Sequence, residues 1–164
     1  MSNIFKYFPN RIREIINTEV SDKYDSLDEI SIRVDKPIIL KFNNSEKIIR
    51  YNINSDEILN ILQLVCENSI YSYQKQISEG FVTINGGHRV GISGSCVIEN
   101  GKVKNINYIY SLNLRIAKEV IGASNRIIKD IINIEENNIY NTLIASSPGA
   151  RKNYNIKRFS KKFK

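Results

Sequence analysis

EISIRVDKPIILKFNNSEKIIRYNI, residues 29–53, alternates apolar and polar residues and then breaks at a run of turn formers. Ile30, Ile32 and Val34 recur with period two, which places them on one face of an extended strand. Ile38 to Phe42 and Lys47 to Tyr51 flank Asn43-Asn44-Ser45, whose short polar side chains favour a tight turn. Three strands are therefore expected here, the last two forming a hairpin. Immediately downstream, Asn54 and Glu57 have the spacing of a capping box, and Ile58, Ile61, Leu62 and Val65 follow at helical intervals.

Working outward, Ile70, Tyr73, Gln74 and Ile77 predict a second helix that stops at Gly80. The stretch FVTINGGHRVGISGSCVIENGKVKNI, residues 81–106, then returns to strands. Phe81 to Ile84 and Arg89 to Ile92 are joined at Asn85-Gly86-Gly87, a strong hairpin signal. Glu99-Asn100-Gly101 offers another turn before Val103, and Leu112, Leu114 and Ile116 alternate cleanly. Toward the N-terminus, Pro9 to Thr18 sets Ile12, Ile15 and Ile16 on one helical face. Beyond residue 120, Ser124 is placed to cap a last helix carrying Ile127, Ile128, Ile131 and Ile132, and Asn141 to Ala145 reads as a short apolar strand. The fold expected is α+β, a small mixed domain with two strand-rich blocks, each beside helices.

The 164 residues suit one domain with a tail, and 41% apolar with 25% charged residues is ordinary for a globular protein. No apolar run approaches the roughly 20 residues needed to cross a bilayer. The N-terminus lacks the pattern of a secretion signal, so a cytoplasmic protein is expected. Cys66 and Cys96 have no metal-ligand spacing and are expected to be buried apolar thiols, while a single histidine, His88, leaves little material for zinc or nucleophile–histidine chemistry. No metal site, paired catalytic carboxylates or other catalytic group can be named. The formal charge of +7 is concentrated at one end: Arg151 to Lys164 holds seven cations and no acids, whereas the first 150 residues balance 17 Lys and Arg against 17 Asp and Glu. That tail has no evident apolar face and is expected to lack fixed structure.

Asn141 to Ala145 runs into Ser146-Ser147-Pro148-Gly149, the way a phosphate-binding loop begins. Such a loop needs a second glycine, then Lys, then a hydroxyl that holds magnesium. Here Arg151 stands at the glycine position, Lys152 is in place, and Asn153 replaces the hydroxyl. Ser146, Ser147, Pro148, Gly149 and Lys152 thus form a degenerate nucleotide loop, and no cofactor is expected for the chain as written. If the Arg151 codon ends in GG, reading one base later permits Gly-Lys-Thr-Thr-Ile-Leu-Arg-Asp-Leu-Ala-Arg-Asn-Leu, which completes the loop and opens a helix. A one-base shift near codon 151 is the expectation, against a selected basic tail as the other reading. The organisation expected is an assembly domain over 1–134, the start of an ATPase domain over 135–150, and a basic tail over 151–164.

Tyr71 to Val97, Ser111 to Ser124 and Asn141 to Gly149 closely resemble the stage III sporulation protein AA family. The most specific signature is the tyrosine-rich helix followed by the Gly-Phe-Val-Thr-Ile-Asn-Gly-Gly-His-Arg-Val-Gly string of residues 80–91. The resemblance implies an N-terminal domain ahead of a RecA-like motor that binds ATP and Mg. It also implies action in the mother cell, homo-oligomeric rings, and docking on membrane components of a channel complex. On that footing Gly86, Gly87, His88 and Arg89 either present a polar turn to a neighbouring subunit, the motor or a phosphate, or only shape the hairpin and bond locally. Arg115 either acts in trans on ATP or is a plain exposed strand arginine. Tyr71, Tyr73, Tyr108 and Tyr110 are expected in core and interface packing. The alternative is a small nucleic-acid-binding protein that uses the basic tail and the Gly-Gly-His-Arg turn.

Overall fold

The computed structural model describes residues 4–118, 130–133 and 138–143. The chain divides into two compact units, Met1–Lys118 and Glu119–Lys164.

In the first unit a 3-10 turn, Ile4–Tyr7, leads into helix α1, Asn10–Val20. Strands β1 (Leu27–Arg33), β2 (Pro37–Phe42) and β3 (Ser45–Asn52) follow as an antiparallel meander. Helix α2 (Ser55–Val65), a 3-10 turn at Ile70–Tyr73 and helix α3 (Gln74–Ser78) carry the chain across to β4 (Phe81–Ile84), β5 (His88–Glu99) and β6 (Lys102–Arg115). The sheet order is β3-β2-β1-β6-β5-β4. Both meanders therefore start or finish at the centre, where β1 and β6 pair antiparallel.

Register explains the core. Leu40, Ile30, Leu114, Val90 and Val82 are successive cross-strand partners, one row over five strands, and all are buried. Ile32, Leu112 and Ile92 form the next buried row. Because side chains alternate across a strand, every one of these rows faces the same layer of helices. Ile12, Ile16 and Val20 of α1 and Ile58, Ile61, Leu62 and Val65 of α2 complete that layer. Burying each such side chain contributes about 1.5–3 kcal/mol.

The expected capping box is present. Asn54 Oδ1 accepts the Glu57 N–H at 2.9 Å, and Glu57 Oε2 accepts the Asn54 N–H at 3.0 Å. At the N-terminus, Arg13 donates to the carbonyls of Phe5 at 3.1 Å and Phe8 at 3.0 Å, which holds the opening turn against α1.

Several expectations are corrected. The helix read from Ile70 onward opens as a 3-10 turn, Ile70–Tyr73, and is α-helical only over the five residues Gln74–Ser78, with Ile77 alone buried among the apolar positions named. The strands around residues 89–92 and 112–116 are parts of a much longer β5–β6 hairpin. Gly94 allows the bulge that bends this hairpin, since a Cβ there would stand 2.6 Å from Ile106 Cγ2 and 2.7 Å from the Asn107 carbonyl. Cys66 is buried, and burial pushes its thiol up to about 11, but Cys96 lies exposed on the bent hairpin. Tyr73 packs against the core, whereas Tyr71, Tyr108 and Tyr110 are exposed.

In the second unit Asp130 and Ile131 are helical, and β7 (Ile132–Asn133) pairs antiparallel with β8 (Asn138–Ile139). Ile132, read as helical, is thus a strand residue. Asn141 to Leu143 form no strand, and Leu143 is exposed. Ser124, Ile127 and Ile128 lie outside the described residues, as do Ala145 and the tail.

Candidate functional site

The sheet face opposite the helices carries a polar row made by the same register that builds the core. Lys41, Glu29, Arg115, Arg89 and Thr83 are successive cross-strand partners on β2, β1, β6, β5 and β4. Each lies one residue from a member of the buried Leu40–Val82 row, so alternation turns it to the open face.

Glu29 is the anionic centre of this row. Lys41 Nζ lies 2.7 Å from its Oε1 and Arg115 Nε 3.5 Å from its Oε2, while the Ser31 hydroxyl donates to Oε1 at 3.1 Å. Burial opposes ionisation of this carboxyl. The Lys41 hydrogen bond, helped by Ser31 and Asn113, outweighs that cost and holds its pKa below the usual carboxylate range. Lys41 is correspondingly raised by its hydrogen bond to Glu29. Two cations of the row, Lys41 and Arg115, thus share one carboxylate.

Arg89 and Arg115 stand directly opposite each other. Like charges in that position repel. The Arg89 guanidinium instead stacks on the Phe81 ring, 3.5 Å from its centroid, and Arg115 leans to Glu29. Arg115 keeps 70% of its side-chain surface exposed, so the pair is open to an incoming anion. Asn113, in the next row between Ser31 and Gly91, has a buried Oδ1 with no hydrogen-bond donor.

The Gly-Gly-His-Arg turn separates into parts with different work. Gly86 and Gly87 adopt φ of 88° and 76°, which side chains resist, and the Gly87 N–H closes the turn onto the Ile84 carbonyl at 3.0 Å. His88 is not presented outward. It is buried, and its Nδ1 accepts the Ala117 N–H at 2.9 Å, tying the turn to the chain where it leaves β6. Arg89, one residue on, points to the open face. The structure brings Arg89 and Arg115 together and assigns His88 to the scaffold. Glu29 and Lys41 were absent from the sequence reading of the site, and only the β1–β6 register reveals them.

Ser146, Ser147, Pro148, Gly149 and Lys152 lie outside the described residues. Set against the phosphate-loop pattern, the sequence has Arg151 at the second glycine position and Asn153 at the hydroxyl position. Among the described residues no group of three or more His, Cys, Asp or Glu is placed to hold a metal ion, and no helix is long and apolar enough to cross a membrane.

The profile of the family described as "Sporulation stage III, protein AA" matches residues 1–162. Stage III sporulation protein AA of Bacillus subtilis (strain 168) is 28% identical over 148 residues, which cover 90% of this chain and 47% of that protein. The chain thus spans about half the length of this curated relative. Among solved structures, the Legionella pneumophila ATPase DotB aligns with a TM-score of 0.41 at 14% identity, covering 80% of this chain and 37% of its own. The VirB11 ATPase from the Brucella suis type IV secretion system, in complex with sulphate, aligns with a TM-score of 0.42 at 10% identity, covering 94% and 44% respectively.

Proposed function

The chain belongs to the sporulation stage III, protein AA family, and we propose from this premise that residues 4–118 act as the assembly and docking domain of a secretion-type ATPase. The observation that carries the docking role is the cationic row, in which Lys41, Arg89 and Arg115 face outward around the carboxylate of Glu29, with Glu46 beyond Lys41 at the sheet edge. Such a surface favours an anionic partner: an acidic patch on a neighbouring subunit or motor domain, or the phosphates that a motor holds. Within the whole protein, the domain would organise subunits into a ring in the mother-cell cytoplasm and dock them on membrane components of a channel toward the forespore. The motor would lie in a neighbouring reading frame, joined by a one-base shift near codon 151. An Arg151 codon ending in GG, with a downstream frame encoding a Walker B acidic strand, supports that arrangement; any other third base argues against it.

The test is made in the spore-forming host that carries the gene. Deletion should lower the count of heat-resistant spores, and the Arg89→Gln, Arg115→Gln double variant should lower it at least tenfold while accumulating to the normal level. A deletion without effect on spores would refute the sporulation role. Normal sporulation by the double variant would refute the cationic row as its site. Salt-sensitive binding of single-stranded nucleic acid by residues 1–150 would favour the nucleic-acid reading instead.

A further inference from the structure

The two edges of the six-stranded sheet are finished differently. At one edge, β4 has four residues, and the Thr83 N–H that would face a neighbouring strand is taken at 3.0 Å by Gln76 Oε1 from α3. At the other edge, β3 has eight residues and, among the described residues, no such side-chain seal. Its pairing with β2 runs Phe42 with Ser45, Leu40 with Lys47 and Ile38 with Ile49. Around the two-residue Asn43-Asn44 turn these are the pairs that exchange hydrogen bonds, so Glu46 and Ile48 turn their backbone donors and acceptors away from β2. An open edge of this kind is a template for another strand.

The side chains on this edge select the partner. Glu46 and Arg50 are both exposed, and Ile48 between them is 56% exposed. Glu46 stands opposite Lys41 and favours its charged form, but among the described residues it closes no ion pair, and neither Arg50 nor Arg11 has a carboxylate within ion-pair distance. Pro37 cannot donate to the ladder, and at that point β3 carries two residues beyond its partner, Arg50 and Tyr51. This bulge opens a hollow of about 610 Å³ lined by Arg11, Arg50, Tyr51 and Ile48 among others. Arg11 lies 5.2 Å from the Tyr51 ring centroid. The carboxylate in the hollow, Glu57, is already engaged by Tyr51 Oη and the Asn54 N–H. The hollow therefore sets two arginines, Arg11 and Arg50, against the one carboxylate of Glu57, and the strand that forms it carries another, Glu46, four residues from Arg50.

We propose that β3 pairs edge to edge with β3 of a second copy of this chain, antiparallel and centred on Ile48. A two-fold axis through that position sets Ile48 opposite Ile48 of the second copy and each Arg50 opposite Glu46 of the other chain. All three side chains fall on one face of a continuous sheet, and each Glu46 meets Arg50 of the other copy at the rim of the hollow. The contact is isologous and closes at two copies. It is therefore separate from any cyclic contact that builds a ring, and it adjoins the cationic row only through Lys41, the cross-strand partner of Glu46. A foreign acidic strand would meet Glu46, and a basic one Arg50, so the charge pattern that discourages other strands suits this one.

Sedimentation of the full 164-residue chain over a concentration series tests the pairing. The wild type should pass from monomer to dimer, and Glu46→Arg or Arg50→Glu alone should weaken dimerisation at least tenfold, because each sets like charges opposite. The Glu46→Arg, Arg50→Glu double variant should dimerise again. An equimolar mixture of the two single variants should form a heterodimer, since one supplies only cations and the other only anions. That recovery also shows that the single variants are folded. A wild type that stays monomeric, single variants that dimerise like the wild type, or a mixture that does not associate would each overturn the proposal.

Discussion

Glu29 holds two cations on a sheet face that would otherwise repel itself, and its carboxyl is depressed because Lys41, Ser31 and Asn113 stabilise the charged form against burial. A carboxyl depressed on folding contributes stability above its unfolded pKa, near 4.5, and loses it as pH falls through the lower folded value. Glu29→Gln should therefore cost about 1 kcal/mol at pH 7. Denaturant titrations on either side of the carboxylate range should show that difference shrinking toward zero in acid. At Ile30, wholly buried in the central row, truncation to Ala should cost about 2–5 kcal/mol in the same measurement. The two residues differed in how far the sequence exposed them. Ile30 was legible as core from period-two alternation, but Glu29 became part of a site only through Lys41 and Arg115, which are distant in sequence. The Gly-Gly-His-Arg string was visible as a turn, whereas the inward position of His88 depends on the Ala117 N–H, which no local pattern announces.

Among the elements, α2 was the most legible because its start is written twice, by the Asn54–Glu57 box and by the apolar spacing behind it. Asn54→Ala should cost about 1 kcal/mol, read as a lowered denaturation midpoint, since it frees a helix-end donor. The hairpins were found where turn residues punctuate them. The length of β5 and β6 was not, because the bent segment buries little beyond Ile106 and so shows no clean alternation. At that bend Gly94→Val should destabilise the protein by several kcal/mol, as the new side chain meets Ile106 and the Asn107 backbone. The third helix was over-read because one apolar side chain is too little to sustain a helix of ordinary length.

For the molecule as a whole, sequence alternation and helix spacing identified an α+β fold, but the strand order of the large sheet, with its first and last strands β1 and β6 joined at the middle, is a product of long-range pairing. Purified as written, the chain should release no phosphate from ATP above background, because Arg151 and Asn153 spoil the loop. The central β1–β6 seam brings residue 29 against residue 115. During synthesis, then, the N-terminal meander can zip up early, yet its inner strand stays exposed until the ribosome has released Arg115. For that interval β1 is an unprotected sticky edge, so chaperone capture and aggregation of nascent chains should be most acute for any messenger stalled between the codons for Asn52 and Arg115.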